Sequence, residues 1–308
     1  MRSLFLILPV VIVIACAAQK EDIVATTSDQ GVLFTKNGDN VLFYQRAPKS
    51  FDGAYTRNNY VHPLWTLDGD TLTEDYPPDH AHHRGIFWTW HQIYVGDAQL
   101  GDAWLCEDFV WDVTDVLVSD AKDGAKFLAA TVLWKSPNFV NANGEMIPAV
   151  QENTSITVYP KAESYRAIDF DIRLLALQEN VRIGGSDDVK GYGGFSPRIK
   201  CPDDLIFLSS TGQVQPQNTA VQAGAWMNML GTFDGEERTG FAVLCHPDNP
   251  PPINMWILRQ SGSMQNPVYP GREPVPVSST APTILQYRVI VHNGNTDIAE
   301  LYAKYELK

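Results

Sequence analysis

Positive charge is scarce in this chain. Against 36 aspartates and glutamates stand only 23 lysines and arginines, which leaves a formal charge of −13. Nucleic acid needs a basic surface, so that class of partner is excluded. Cysteine is scarce too: Cys16, Cys106, Cys201 and Cys245 are the whole complement. Their spacing fits no zinc-binding pattern. The three that follow Cys16 allow at most one disulfide, and they read as small buried residues. No apolar run after residue 15 is long enough to cross a bilayer, and no Ser/Gly linker, charge block or repeat marks a domain boundary.

The amino terminus carries the one long apolar run. Residues 4–15, LFLILPVVIVIA, follow Met1-Arg2-Ser3 and precede Cys16. A spanning helix takes roughly 20 apolar residues, and Pro9 interrupts even these, so the segment reads as an export signal. Val13-Ile14-Ala15-Cys16 resembles a bacterial lipobox, which predicts lipidation of Cys16, a short polar tether up to residue 22, and a single domain over 23–308. The expected location is therefore outside the cytoplasm, on a bacterial membrane that the lipid anchor grips.

The rest is written in strand language. YRAIDFDIRLLA (165–176) alternates Arg166, Asp169, Asp171 and Arg173 with Ile168, Phe170 and Ile172, a wet face against a buried one. Similar runs occur at 31–36, 41–45, 85–93, 126–135, 153–159, 239–245 and 283–292, separated by Asn-Gly, Asp-Gly and Pro-rich breaks. Only the carboxy end reads as helix, with Asp297 as cap, Glu300 three residues on, and Ile298, Leu301, Tyr302 and Tyr305 as its stripe. The prediction is all-β: a large antiparallel sandwich with a short C-terminal helix.

Chemistry concentrates at residues 77–84, P-P-D-H-A-H-H-R, which hold three of the seven histidines. Two prolines stiffen the approach and exclude a helix. If 80–84 is extended, His80 and His82 share a face with Cα atoms about 6.6 Å apart, an arrangement that suits one divalent metal ion with Asp79 as third ligand. Without metal, His80, His82 and His83 are acid/base groups, and Arg84 fits recognition of an anionic substituent. On the same extended geometry His91 lies about 26 Å from His83 and outside the cluster. Trp88 and Trp90 share a strand face after the loop, so Trp88 is a candidate sugar-stacking residue as well as a core one.

NYVHPLWTLDGD (59–70) followed by DHAHHRGIFWTWH (79–91) resembles the bacterial family catalogued as "methane oxygenase PmoA". GYGGFSPR (191–198), CHPDNP (245–250) and QNP (265–267) are similar to that family's later blocks, in its order. Membrane-embedded oxygenase subunits carry several apolar helices, and this chain has no such run after its signal. The resemblance, over roughly 30–295, therefore implies a supersandwich-like β protein of polysaccharide-degrading bacteria. By position it nominates His62, Asp79, His80, His82, His83, Arg84, Tyr192, Arg198, His246 and Asn249, with Ala81 standing where relatives often carry proline.

An acidic, aromatic-rich, exported β domain suits a polysaccharide or oligosaccharide partner. The leading expectation is a hydrolase or lyase acting on a glycan or modified sugar, with His80, His82, His83 and Arg84 at its centre. His62, Tyr192, Arg198, His246, Asn249 and Trp88 would hold substrate. A glycan-binding lipoprotein without chemistry and a metal-dependent oxidoreductase are the alternatives.

Overall fold

The computed structural model describes residues 22–233, 235 and 237–307, so the expected signal and the lipidation site Cys16 lie outside the described residues. Two antiparallel sheets form the body of an all-β sandwich. Six strands run in the order Val24–Thr27, Gly31–Lys36, Asp39–Gln45, Tyr60–Leu64, Ile86–Thr89 and Gly194–Pro197. Nine run in the order Val110–Asp120, Lys126–Lys135, Val150–Val158, Tyr165–Ala176, Thr283–Asn293, Thr239–Cys245, Trp226–Gly231, Ile206–Ser209 and Gly212–Val214. Smaller sheets of four, three and two strands cap the ends.

Alternation explains the packing. Phe34, Leu42, Val61 and Trp88 of the smaller sheet meet Val132, Trp134, Ile156, Phe170 and Val289 of the larger one in a continuous buried core. Each such aliphatic or aromatic side chain contributes about 1.5–3 kcal/mol by leaving water. The strands expected at 31–36, 126–135, 165–176 and 239–245 form with those bounds. The C-terminal helix Ile298–Tyr305 starts on Asp297, whose side chain accepts from the Glu300 amide, and lays Ile298, Leu301 and Tyr305 on the outer face of the nine-stranded sheet.

Three expectations fail for reasons of geometry. Arg166 has the parity of Ile168 and Phe170, not of Asp169, and lies on the buried side at 6 % exposure. The expected strand at 85–93 is two strands, Ile86–Thr89 and Gln92–Val95, in different sheets, and the break falls at Trp90-His91. Trp88 is 1 % exposed and donates its indole N–H to Glu152 at 2.7 Å, so it is a core residue and not a substrate contact.

Glu152 ties the two sheets together from within. It is fully buried and accepts from Asn59 Nδ2, Trp88 Nε1, Trp134 Nε1 and Thr154 Oγ1 at 2.6–2.8 Å. Burial pushes its pKa up, and those four hydrogen bonds work against the rise. The cysteines Cys106, Cys201 and Cys245 are all free thiols; Cys245 is buried and the other two half-buried.

Candidate functional site

The histidine segment is not extended. His80 N donates to Pro77 O at 3.1 Å and His83 N to His80 O at 2.9 Å, which makes two successive tight turns. The same-face argument for His80 and His82 therefore does not apply, yet the turns bring all three rings together. His80 stacks on His83 with centroids 4.8 Å apart, and His82 meets His83 edge-on at 4.5 Å.

Both ends of this loop are fastened by arginines. Arg84, fully buried, donates Nε to Asp75 Oδ1 at 2.5 Å, Nη1 to the carbonyls of Lys49 and Tyr55, and Nη2 to Tyr60 Oη. Its flat face lies over the rings of Tyr60 and Tyr76. Arg198, 2 % exposed, grips Asp79 with two bonds of 2.6 and 2.8 Å and donates Nε to Glu74 at 2.7 Å. Neither guanidinium is available to a ligand, which corrects the expected roles of Arg84 and Arg198.

The metal expectation fails the same test. Asp79 Oδ2 also contacts His80 Nδ1 at 2.7 Å, so both of its oxygens are engaged. Burial works to raise the Asp79 pKa, but the hydrogen bonds from Arg198 and His80 hold it well below the usual carboxylate range. Among the described residues no group of three or more His, Cys, Asp or Glu side chains is arranged to hold a metal ion. The set His80, His82 and Asp79 does not fit a divalent ion.

What the loop builds is one wall of a cavity of about 270 Å³, lined by His80, His82, His83, Trp104, Tyr192 and Arg259, with Lys190 and the 261–264 segment completing it. Its floor is a separate apolar cluster of Tyr60, Phe87, Trp104, Ile257, Met264 and Val268, on the outer face of the six-stranded sheet. His83 sits on that floor, 2 % exposed, against Phe87 and Trp104, and its Nδ1 has no hydrogen-bond partner. The break between strands at Trp90-His91 brings the His91 ring against Trp104 of the cavity wall. His91 stacks on Trp104 at 5.2 Å while His83 meets the same indole at 5.9 Å, so the expected separation does not arise. Asp102 fixes His91 through a 2.8 Å contact to Nδ1.

Tyr192 is where the resemblance placed a ligand contact, packed edge-on to Trp104 at 4.8 Å. Its neighbours must be small: a Cβ on Gly191 would lie 2.7 Å from the Arg272 amide nitrogen. Trp104, Lys190, Arg259 and Met264 were not anticipated. Only the QNP block near Arg259 gave a signal.

Burial sets the electrostatics. It pushes the His82 pKa down to about 4, with His80, Arg57 and His91 adding to the effect. His83 is likewise held well below the ordinary imidazole value, by burial first and then by His82 and His80. Both rings are neutral at pH 7. Burial, then Asp188 and Asp102, raise the Tyr192 phenol, which stays protonated. Arg259 donates to the carbonyls of Gln217, Leu258 and Asn218, so its charge is held in place without being neutralised.

The remaining nominated residues lie elsewhere. His62 contacts Thr73 Oγ1 through Nδ1 at 2.9 Å, and burial lowers its pKa to about 4. Asn249 exchanges two hydrogen bonds with the Gln286 backbone, at 2.6 and 2.8 Å, and braces a strand. His246 lines a larger cavity of about 370 Å³ beside the C-terminal helix. Two of its three carboxylates are already paired, Asp169 with Arg288 and Asp171 with Arg173, and Asp248 is exposed 3.8 Å from His246 Nδ1.

No curated protein matches the chain. Among solved structures, one described as a "putative mutarotase (YeaD)" from Salmonella typhimurium aligns over 88 % of each chain at 10 % identity, with a TM-score of 0.35. So remote a likeness carries no argument about this chain. Residues 31–306 match the model of a family described as "Family of unknown function (DUF6807)", and the chain belongs to that family.

Proposed function

We propose that this is a carbohydrate-active enzyme, exported and held to a membrane by lipid on Cys16, that cleaves an acidic sugar by elimination in the histidine cavity. One observation carries the reading. Two neutral imidazoles, half-buried His82 and buried His83 with its orphaned nitrogen, face the same cavity as Arg259, which has no carboxylate partner among the described residues. A space of about 270 Å³ lies just below the range usual for ligand pockets, so it suits one or two sugar units with the polymer outside.

Hydrolysis of a glycoside ordinarily uses a pair of carboxylates flanking the bond. Among the described residues no carboxylate lines this cavity. Elimination needs what is present. A neutral imidazole, His82 or His83, takes the proton from the carbon beside the sugar carboxylate. Its electron pair becomes a carbon–carbon double bond, the β carbon–oxygen bond breaks, and the leaving oxygen receives a proton from the Tyr192 phenol. Arg259 and Lys190 face the carboxylate, whose charge grows in the transition state. The indole of Trp104 and the ring of Tyr192 offer apolar faces to the sugar.

A screen of uronate-containing oligosaccharides for the ultraviolet-absorbing unsaturated product tests this. Turnover is expected with wild type, and its loss with His82→Ala and with Arg259→Ala while both variants stay folded. Binding without product in wild type would favour the glycan-binding alternative; neither binding nor product would sink both.

A further inference from the structure

A second cavity, of about 240 Å³, opens at the end of the sandwich where the 36–40 hairpin, the 66–69 turn and the start of the Tyr165–Ala176 strand meet. Arg166 stands at its floor with core parity and 6 % exposure. Other buried arginines have their donors engaged. Arg84 and Arg198 are paired with carboxylates, and Arg57 donates to the carbonyls of Ala103 and Trp104 between the rings of Phe87 and Trp111. Arg166 differs. Its buried Nε–H has no hydrogen-bond partner, and Asp39 acts on it through space alone.

A buried donor without a partner costs about 1–3 kcal/mol, more when charged. Placing a guanidinium there, on a parity that an aliphatic residue would fill, makes physical sense if something else completes its bonding. The same cavity receives Lys36 and Lys161 as further cations, against the carboxylates of Asp39 and Asp68.

We propose that this cavity binds a single oxyanion group, a phosphate or sulfate ester, on Arg166, with Lys161 at its mouth. The space of about 240 Å³ takes one such group together with part of the molecule that carries it. Planar donors at fixed spacing match two oxygens of a tetrahedral anion. Two sources carry that chemistry: an ester on a free molecule, and a lipid headgroup. The second has a geometric reason, because Val24 pairs with Thr35 and so the amino-terminal strand runs beside Lys36. The site stands apart from the histidine cavity and does not depend on its chemistry.

The test uses the full chain at matched ionic strength. Inorganic phosphate and inorganic sulfate are titrated by calorimetry and by thermal shift. Phosphatidylcholine vesicles with and without phosphatidic acid are used for flotation. Wild type is expected to gain melting temperature with phosphate or sulfate over a chloride control. Arg166→Met is expected to weaken binding by about tenfold or more. Without ligand it should melt at or above the wild-type temperature, because the stem still packs and the orphaned donor is gone. Lys161→Glu, at an exposed position, tests the same claim should Arg166→Met not fold, and is expected to weaken binding as well. Flotation only with phosphatidic acid assigns the headgroup as source; binding of free anion without flotation assigns a soluble ester. No binding above the chloride control, or equal affinity in wild type and both variants, overturns the proposal.

Discussion

His82 shows how one side chain couples folding to chemistry. Burial lowers its pKa to about 4, and the same holds for His62 outside the site. An unfolded histidine titrates near 6.5, so between that pH and about 4 the unfolded chain binds protons that the folded one refuses. Stability is therefore full above pH 6.5 and falls as pH drops toward 4. The urea midpoint should follow that course, and His62→Gln should flatten it. Activity should behave differently: a base with pKa near 4 stays competent in mild acid, so the acid limb of the rate profile is expected near pH 4. His82→Ala should lower turnover by about 10²–10⁴-fold, with little change in melting temperature. Arg84→Met is expected to act through the fold, because it takes the buried guanidinium from Asp75 and leaves that carboxylate to Lys49, at a cost of about 1–3 kcal/mol read by denaturant unfolding. The importance of the octapeptide was legible in its composition. The roles of its arginine were not, because Asp75 and Glu74 give no sequence sign of which guanidinium they will face. Arg166 was placed on the wet face because it is charged, although counting by twos from Ile168 puts it inside.

At the scale of elements, the histidine turns depend on local backbone geometry that periodicity does not report. Ala81 occupies the second position of the turn from His80 to His83, where proline is favoured and no backbone donor is needed. Ala81→Pro is therefore expected to stabilise by about 0.4–1 kcal/mol, seen as a small rise in melting temperature without loss of activity. A fall in both would show that His80 cannot adopt the extended backbone that proline demands. Long alternating strands such as Tyr165–Ala176 were readable because one face is wet. The aromatic run 85–93 was not, because both faces of its first half are buried and nothing marks the turn at Trp90. That missed turn is also why His91 was placed outside the site.

On the scale of the whole molecule, Glu152 joins residues whose positions span 59–154. All four of its neighbours are donors, so an amide in its place must turn an N–H toward another N–H. Glu152→Gln should lower the unfolding free energy by about 1–3 kcal/mol, read as a lower urea midpoint, with the slope unchanged if both sheets still unfold together. Sequence could show that Glu152 has core parity with Val150 and Ile156. It could not show that two distant indoles would meet it.

The nine-stranded sheet ends on Val110–Asp120, eleven residues that, among the described residues, are hydrogen-bonded to a neighbouring strand on one side only. An open border of that length is a template on which a stray β-segment can grow, the first step toward fibres. This one is spoiled twice: its register slips between Val113 and Asp115, and Asp112, Asp115 and Asp120 spread like charge along it. Replacing those three aspartates with threonine should leave the interior untouched and shorten the time before a concentrated solution turns turbid.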